Sequence, residues 1–211
     1  MKTKIYLVRH GESEGNIKQL VIGHTDVDLT EKGRMQAEKT AEYLKNIHAD
    51  KIYSSDLKRA CETANCTAKI QNLSIIKDKR LREMDCGKWE NRSMAEIKEL
   101  YPENYRLWYE NIGRVYCNGG ESAEKARERL VEALTDIAEK NVGKTLFFFS
   151  HAVAIRLAVS AFLGMELDEI KNLPWPPNAS VTTLEYENGK FKVIEYGYDK
   201  HMGDISTTVD F

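Results

Sequence analysis

The sequence predicts an α/β fold with a mostly parallel central sheet, and three observations support this prediction. Short apolar runs alternate with longer segments of helical periodicity along most of the 211 residues. One run, TLFFF at 145–149, is apolar on both faces, as expected for a central strand covered by helices on both sides. Two alternating runs near the end flank Asn188 and Gly189, a pair that favours a hairpin turn. The hairpin predicts an antiparallel edge beside the parallel strands.

The first half of the chain holds three predicted strands and two predicted helices. Residues 4–8, KIYLV, form a near-continuous apolar run and predict a buried strand. Thr30 is an N-cap candidate for a helix over 30–46, in which apolar residues recur at helical spacing. The other elements follow in order: a short strand at 51–55, a helix at 56–70 and a strand at 73–77.

The second half contains short helices, a long helix and the central strand before the hairpin. Residues 93–96, SMAE, have the spacing of a capping box, and Pro102 suits the first turn of a second short helix. The pattern over 122–140 predicts a long amphipathic helix. The central strand at 145–149 follows, and residues 153–164 are predicted to form the next helix.

Composition, charge and cysteine content restrict the class of protein. The chain is 42% hydrophobic and 30% charged with a formal net charge of -2, a balance that predicts no nucleic-acid binding. Four cysteines are too few for a disulfide scaffold, and their spacing matches no zinc site. The N-terminus lacks a secretory apolar region, and no stretch is long enough to span a membrane. We therefore expect a cytoplasmic protein without membrane association, with residues 1–211 forming one domain.

Polar side chains that are costly to bury follow three of the predicted strands. The first strand is followed by Arg9 and His10, the second leads to Arg59, and the central strand is followed by His151. Ligands of open α/β sheets bind outside the carboxyl ends of the strands, so these side chains are expected to meet at one edge. Clustered cations repel one another unless an anion holds them. Because the forked donors of arginine suit phosphate or carboxylate, the pattern predicts an anion site.

Neighbouring groups add candidate donors to this site. Gly11 lets backbone amides approach a bound group, and the turn after His151 places amides at the N-terminus of a helix. Asn16 offers a further side-chain donor. Each feature alone is more often structural, so they support the anion site without defining it. Glu121 fits either the acidic start of a helix or the partner of an arginine.

Seven motifs follow one another in order between residues 7 and 186: LVRHGESEGN, TDVDLTEKGRMQAE, SSDLKRACETA, LREMDCGKWEN, GGES, SHAVAIRLAV and NASVTTLEY. Together they resemble the motifs of the histidine phosphatase superfamily, also called the phosphoglycerate mutase-like family. The resemblance implies a three-layer α/β/α sandwich. It also implies a phosphohistidine intermediate formed without a metal or another cofactor.

The resemblance implies roles for individual residues. His10 would be the nucleophile and Glu83 the proton donor. The phosphate clamp would consist of Arg9, Arg59 and His151, completed by Asn16 and the backbone amide of Ala152.

Two positions depart from the family pattern. Ala152 stands where relatives more often have glycine, and a negative φ would tolerate this because the contact is made by the backbone. Ile22 stands where many relatives have a polar residue that touches the substrate. The leaving-group side of the pocket is therefore expected to differ more than the phosphate side.

The residue types support the same chemistry independently. A neutral His10 imidazole can attack phosphorus in line, while arginine and histidine donors stabilise the charge on the three equatorial oxygens. Neighbouring arginines lower the pKa of His10, which keeps its imidazole neutral. Glu83 must be protonated to assist an alkoxide leaving group, and it would act as a base toward water in the second half-reaction.

Substrate selection is expected in the cap segment, which we define as residues 84–120, a small helical insertion. Its aromatic residues either build a small core or stack on the leaving group; they are Trp89, Tyr101, Tyr105, Trp108, Tyr109 and Tyr116. The candidate pocket residues are Ile22, Gly23, His24 and Trp89. The expected partner is a small phosphorylated metabolite.

A phosphatase is favoured over the other functions of such proteins. Phosphoglycerate mutases hold two phosphates and have a longer insertion with an Arg-Arg pair, whereas Arg92, Arg106 and Arg114 are isolated here. Among phosphatases, the sequence is similar to α-ribazole phosphatases and to broad-specificity phosphatases. Cofactor-dependent mutase activity and a non-catalytic phosphate-binding module stay open as alternatives, and so does a homodimer.

The C-terminal tail, residues 199–211, is rich in Gly, Thr and Asp. This composition predicts a flexible end, in which Phe211 is the residue that could dock on the domain.

Overall fold

Eight strands and seven α-helices make up the fold within residues 1–207, which are the residues that the computed structural model describes. The strands are β1 (Thr3–Arg9), β2 (Leu20–Val21), β3 (Lys51–Ser54), β4 (Ile75–Lys77), β5 (Arg92–Ser93), β6 (Thr145–Ser150), β7 (Val181–Glu187) and β8 (Lys190–Tyr198). The helices are α1 (Glu14–Ile17), α2 (Glu31–Leu44), α3 (Lys58–Gln71), α4 (Met94–Leu100), α5 (Pro102–Glu110), α6 (Ala123–Glu139) and α7 (Ala152–Phe162).

Six strands form one sheet in the order β4-β3-β6-β1-β7-β8, and β2 pairs with β5 separately. β4, β3, β6 and β1 run parallel, whereas β7 is antiparallel to both β1 and β8. The register pairs Arg9 with Ser150, so β1 and β6 end side by side. The predicted mostly parallel sheet with a C-terminal antiparallel hairpin is confirmed.

Helices cover both faces of the sheet, which confirms the three-layer sandwich. Phe147 and Phe149 of β6 belong to one apolar cluster, together with Leu44 of α2 and Ala64 of α3. Phe148 belongs to a second cluster, which includes the apolar residues of α6 and α7. Since successive strand residues point to opposite faces, an apolar run such as TLFFF suits a strand that is buried on both sides.

Most predicted elements are present, and they differ from the prediction mainly at their ends. Thr30 is the N-cap of α2, where its hydroxyl accepts a hydrogen bond from the Gly33 amide at 2.9 Å. The helix predicted to begin at residue 56 begins at Lys58, with Leu57 as its N-cap. The short α1, β2 and β5 were not predicted because segments of four, two and two residues carry no readable periodicity.

The cap segment contains β5, α4 and α5. The predicted capping box is confirmed, because Ser93 and Glu96 exchange hydrogen bonds at the start of α4. Pro102 lies in the first turn of α5, as predicted. Trp89 is fully buried, and its indole Nε1 donates to Asn118 Oδ1 at 3.2 Å. The grouping of residues 1–211 into one domain with this insertion stays a prediction.

Residues 199–207 pack against α2, so the expected flexible end is wrong for this stretch. Met202 is fully buried, and Gln36 of α2 donates to the carbonyl of Ile205 at 2.7 Å and to the hydroxyl of Thr207 at 2.9 Å. Composition alone missed these contacts because one buried methionine and one glutamine amide fix the segment. Phe211 lies outside the described residues.

Candidate active site

The side chains predicted to bind an anion meet at one edge of the sheet. Arg9 ends β1 and is followed by His10, while His151 follows the end of β6 and Arg59 lies in the first turn of α3, after β3. β3, β6 and β1 are parallel neighbours, so their carboxyl ends lie together. The ring centroids of His10 and His151 are 5.2 Å apart. The structure therefore brings together the two arginines and two histidines that the sequence singled out.

The backbone fixes the tautomer of His10. Its Nδ1 lies 2.7 Å from the carbonyl oxygen of Gly11, which can only accept a hydrogen bond. Nδ1 therefore carries the proton and donates it. The other ring nitrogen, Nε2, keeps its lone pair and accepts a hydrogen bond from Arg59 Nε at 3.3 Å. Nε2 is thus the ring nitrogen whose lone pair is available for a reaction.

Burial and charge keep His10 neutral. Its side chain is almost completely buried, and burial is the main reason that the pKa of His10 lies well below the ordinary value of 6.5. The positive charges of Arg59 and Arg9 lower this pKa further. A neutral, properly oriented imidazole at neutral pH is what nucleophilic attack requires.

Arg9 and Arg59 are buried and held by backbone carbonyls. Arg9 Nη1 donates to the Pro176 carbonyl at 2.6 Å. Arg59 donates from Nη1 to the Thr25 carbonyl at 3.0 Å and from Nη2 to the Gly23 carbonyl at 2.8 Å. Burial lowers the pKa of each arginine to about 10, so both stay charged at neutral pH. Two buried charges fixed mainly by neutral acceptors form a site for an anion.

His151 is fully buried beside His10, and its Nε2 lies 2.8 Å from Ser55 Oγ. Burial, followed by the charge of Arg59, holds the pKa of His151 well below 6.5. Within residues 1–207, two buried polar atoms of this cluster have no hydrogen-bond partner: His151 Nδ1 and Arg9 Nε. Such atoms are costly in a folded protein, and a bound oxyanion is the type of group that can partner them.

Glu83 lies at the N-terminus of α7, facing the same edge. Its Oε1 accepts hydrogen bonds from the amides of Ala154 at 2.8 Å and Met84 at 2.9 Å, and its Oε2 accepts one from the amide of Val153 at 3.1 Å. A carboxylate suits this position because helix N-termini carry unpaired amides and a positive dipole end. The side chain is 9% exposed and lines the cleft.

Arg129 of α6, which forms an ion pair with Glu121 just before this helix, holds the segment that carries Glu83. Arg129 Nη2 donates to Glu121 Oε2 at 2.7 Å and to the carbonyl of Glu83 at 3.2 Å. Arg129 Nη1 donates to the carbonyls of Arg80 and Arg82. Of the two interpretations that the sequence left open for Glu121, the structure shows the arginine partner.

Asn16 and Ala152 complete the polar side of the cleft. Asn16 Oδ1 accepts hydrogen bonds from the Ser13 amide at 3.0 Å and from Asn178 Nδ2 at 3.3 Å, which leaves its own Nδ2 to donate. Ala152 is the first residue of α7 and lines the cleft. Because Ala152 has a helical backbone conformation, this position does not require a glycine.

Gly11 has a different role from the one that the sequence suggested. Its amide donates to Thr63 Oγ1 at 3.1 Å instead of facing the cleft. A Cβ atom at this position would overlap the carbonyl oxygen of Gly33 in α2. Gly11 therefore permits close packing between α2 and the loop after β1.

The leaving-group side of the cleft is largely apolar. Its lining includes Leu20, Val21, Ile22, Gly23, Cys86, Trp108, Val153 and Trp175. The rings of Trp108 and Trp175 stack with their centroids 6.0 Å apart.

The structure separates the four candidate pocket residues. Ile22 and Gly23 lie on the cleft. His24 is not among the described residues that line the cleft, and its Nε2 lies 2.9 Å from the carbonyl oxygen of Glu83. Trp89 lies in the core, so it does not line the cleft as the sequence predicted. Sequence reasoning missed Trp175 and Ser55, since both lie in short loops whose local pattern gives no sign of proximity to the site.

Comparison with known proteins gives a consistent result. Residues 5–199 match the family model described as "Histidine phosphatase superfamily (branch 1)". The chain is 35% identical to phosphoserine phosphatase 1 of Hydrogenobacter thermophilus over 202 residues, which cover 96% of this chain and 95% of that protein.

Two solved structures extend the comparison. YhfR of Bacillus stearothermophilus superimposes with a TM-score of 0.91 at 31% identity, covering 95% of this chain and 99% of that one. The α-ribazole phosphatase of Shigella flexneri superimposes with a TM-score of 0.82 at 22% identity, covering 92% of this chain and 96% of that one. The second comparison shows a similarity of fold alone.

Proposed function

Because this chain belongs to the histidine phosphatase superfamily and hydrolyses phosphomonoesters, we propose that it works through a phosphohistidine intermediate on Nε2 of His10. The observation that carries this proposal is the tautomer of His10. The Gly11 carbonyl holds the proton on Nδ1, and burial together with two arginines favours the neutral ring. The lone pair on Nε2 is therefore available for attack on phosphorus.

In the first half-reaction, a bond forms between His10 Nε2 and phosphorus while the ester bond to the leaving oxygen breaks. Glu83 gives its proton to that oxygen, so the alcohol leaves uncharged. Charge on the transferring phosphoryl oxygens is stabilised by a clamp of fixed donors. Its members are Arg9, Arg59, His151, Asn16 and the amide of Ala152.

In the second half-reaction, Glu83 accepts a proton from water while the water oxygen attacks phosphorus. The bond between phosphorus and His10 Nε2 then breaks, and inorganic phosphate leaves. Three backbone amides fix the carboxyl group of Glu83 beside the clamp, which places it for both proton transfers. The histidine returns to its neutral state, so no proton accumulates in the site.

Trapping the intermediate tests this mechanism. Rapid mixing with a phosphomonoester, an alkaline quench and mass spectrometry of the digested protein should find the phosphoryl group on the peptide that contains His10. The His10→Ala variant should carry no phosphoryl group and should lose turnover. Two successive displacements also predict overall retention of configuration at a chiral phosphorus. Inversion, or a label on another residue, would contradict the mechanism.

Our proposal for the biological setting is a cytoplasmic enzyme that acts on a small phosphorylated metabolite and binds no nucleic acid. All four cysteines are free thiols, as a reducing compartment favours. None of the helices in residues 1–207 has the length and apolar character needed to cross a bilayer. The homodimer stays a prediction, which light scattering during size-exclusion chromatography tests.

Mutase activity receives less support than hydrolysis. It is tested by incubation with 3-phosphoglycerate in the presence and absence of bisphosphoglycerate. We expect release of inorganic phosphate. Isomerisation of 3-phosphoglycerate without phosphate release would show that the protein is a mutase and not a hydrolase.

A further inference from the structure

We propose that the cleft selects phosphomonoesters whose leaving group is uncharged and apolar, and that it discriminates against phosphoserine and phosphoglycerates. This inference rests on the proposed function, because it concerns the other half of the same cleft. It departs from the substrate in the name of the phosphoserine phosphatase that the chain resembles. The argument depends on which side chains surround the leaving group and which do not.

The wall beyond the phosphate clamp is built from hydrocarbon, sulfur and indole. Its aliphatic and sulfur-containing members are Leu20, Val21, Ile22, Cys86 and Val153, and the Val153 amide donates to Glu83. The stacked indole rings of Trp108 and Trp175 belong to the same lining. Such a lining stabilises a leaving group by burying its apolar surface.

The indole pair is held rigidly. The guanidinium carbon of Arg156 lies 4.5 Å from the centre of the Trp175 ring, and Arg156 Nε donates to the Leu173 carbonyl at 2.7 Å. Trp108 packs against the buried Trp89, with ring centroids 5.9 Å apart. A rigid surface loses little conformational freedom when a ligand binds.

A second anionic group on the substrate would find no cation in this lining. Among the lining residues within 1–207, the cations are Arg9 and Arg59, which both belong to the phosphate clamp. A substrate carboxylate would therefore be buried without a partner, which is unfavourable.

Three basic residues outside the phosphate clamp already have partners. Arg82 forms a bidentate ion pair with Asp56, in which Nε donates to Oδ1 at 2.6 Å and Nη2 donates to Oδ2 at 2.7 Å. Arg129 is engaged by Glu121 at 2.7 Å, and His24 Nε2 lies 2.9 Å from the carbonyl of Glu83. Moving any of them toward a substrate carboxylate would break these contacts.

The decisive experiment compares kcat/KM for 2-phenylethyl phosphate, phosphoserine and 3-phosphoglycerate. All three are esters of primary alcohols, so the leaving groups differ mainly in charge and apolar area. The aromatic ester should be preferred by at least about tenfold. Equal or better hydrolysis of either carboxylate-bearing ester would overturn this inference and leave the phosphohistidine mechanism intact. Failure on all three esters and on p-nitrophenyl phosphate would overturn the proposed function instead.

Variants at Ile22 test the charge argument. Ile22→Lys places a cation on the wall, and Ile22→Met is the uncharged control of similar length. Ile22→Lys should shift the preference toward phosphoserine and 3-phosphoglycerate by about tenfold, while Ile22→Met keeps the wild-type order. An equal shift in both variants would contradict the role of charge.

Trp175 tests the apolar wall. It is half-buried, so Trp175→Ala is better tolerated than a substitution of the buried Trp108. The variant should lower kcat/KM for 2-phenylethyl phosphate several-fold more than kcat/KM for phosphoserine. An equal loss on both esters would show that the ring supports the fold and not the leaving group, and would overturn its place in the wall.

Discussion

At the scale of single residues, backbone carbonyls orient the charged side chains of the site. Gly11 fixes His10, Pro176 fixes Arg9, and Gly23 is one of two carbonyl partners of Arg59. A carbonyl carries no net charge, so it positions a guanidinium without neutralising it. The positive charge therefore stays available to the phosphate, whereas pairing with an aspartate in the same cleft would compete with the substrate.

Substitution of Glu83 by glutamine should separate proton donation from phosphate binding. Glu83→Gln removes the transferable proton but keeps an oxygen that can accept from the amides of Met84 and Ala154. Turnover of an alkyl phosphate should fall by about a hundredfold or more, because an alkoxide is a poor leaving group without an acid. Turnover of p-nitrophenyl phosphate should fall much less.

The matched measurement is competitive inhibition by inorganic phosphate, which reports the clamp alone. It should change little in the Glu83→Gln variant. Equal losses of turnover on both esters would count against an acid role, and a large loss of phosphate affinity would indicate that the variant has disturbed the clamp.

At the scale of secondary-structure elements, the loop after β1 is shaped by α2. The Glu12 amide donates to Gln36 Oε1 at 2.7 Å, and the Glu12 carbonyl accepts from the Thr30 amide at 3.0 Å. Gly33 lies against the same loop, since a Cβ atom there would overlap the Glu12 carbonyl oxygen. The helix and the loop are therefore in backbone contact.

Gly33→Ala should push this loop away from α2. The free energy of unfolding should fall by about 1–3 kcal/mol because the neighbouring atoms are backbone and cannot rotate aside. kcat/KM should fall as well, because the loop includes His10. Thermal denaturation and steady-state kinetics measure the two effects. Glu38→Ala, on the exposed side of the same helix, is the control and should leave both values close to wild type.

The contact between α6 and the segment around Glu83 makes Arg129 a positioning residue. Arg129→Met leaves the partly buried Glu121 without its partner and frees three backbone carbonyls. The free energy of unfolding should fall by roughly 2 kcal/mol. Turnover of alkyl phosphates should fall more than turnover of p-nitrophenyl phosphate, because Glu83 loses its orientation. A purely structural role would lower both equally.

Arg114→Met provides a matched comparison for this prediction. It also removes an arginine from an ion pair, but Arg114 and Asp168 are both exposed. Exposed pairs contribute little to stability, so neither stability nor the ratio of the two activities should change appreciably.

The sequence predicted those parts of the site that follow from strand periodicity. Arg9, His10 and His151 come directly after apolar runs, and the carboxyl ends of neighbouring parallel strands must lie together. The motif resemblance added Glu83, which no periodicity indicates. Trp175 could not be predicted, because its position depends on how a loop after α7 folds back over Arg156.

At the scale of the whole molecule, the buried histidines should make stability depend on pH. The pKa values of His10 and His151 lie well below 6.5 in the folded protein, whereas both are expected near 6.5 in the unfolded chain. Above pH 6.5 neither state binds these protons, so their contribution is constant. As the pH falls below 6.5, the unfolded state gains protons that the folded state excludes, and stability decreases.

The expected slope is up to about 2.7 kcal/mol per pH unit for the two residues together. Urea denaturation at pH 7.5, 6.5 and 5.5 measures this slope. These pH values lie above those at which most carboxylates titrate. His10→Asn should reduce the slope by about half. A stability that stays constant over this range would show that folding does not lower the pKa values of the two histidines.

The position of β1 in the sheet has a consequence for the synthesis of the protein. This strand is synthesised before both of its neighbours, since it lies between β6 and β7, and Ile5 pairs with Leu146 on one side and with Leu184 on the other. Pairings over such sequence distances are slow to form because a long loop must close first. A nascent chain that has not reached β7 lacks a neighbour for the strand that carries His10. The active site can therefore assemble only after both β6 and β7 have been synthesised.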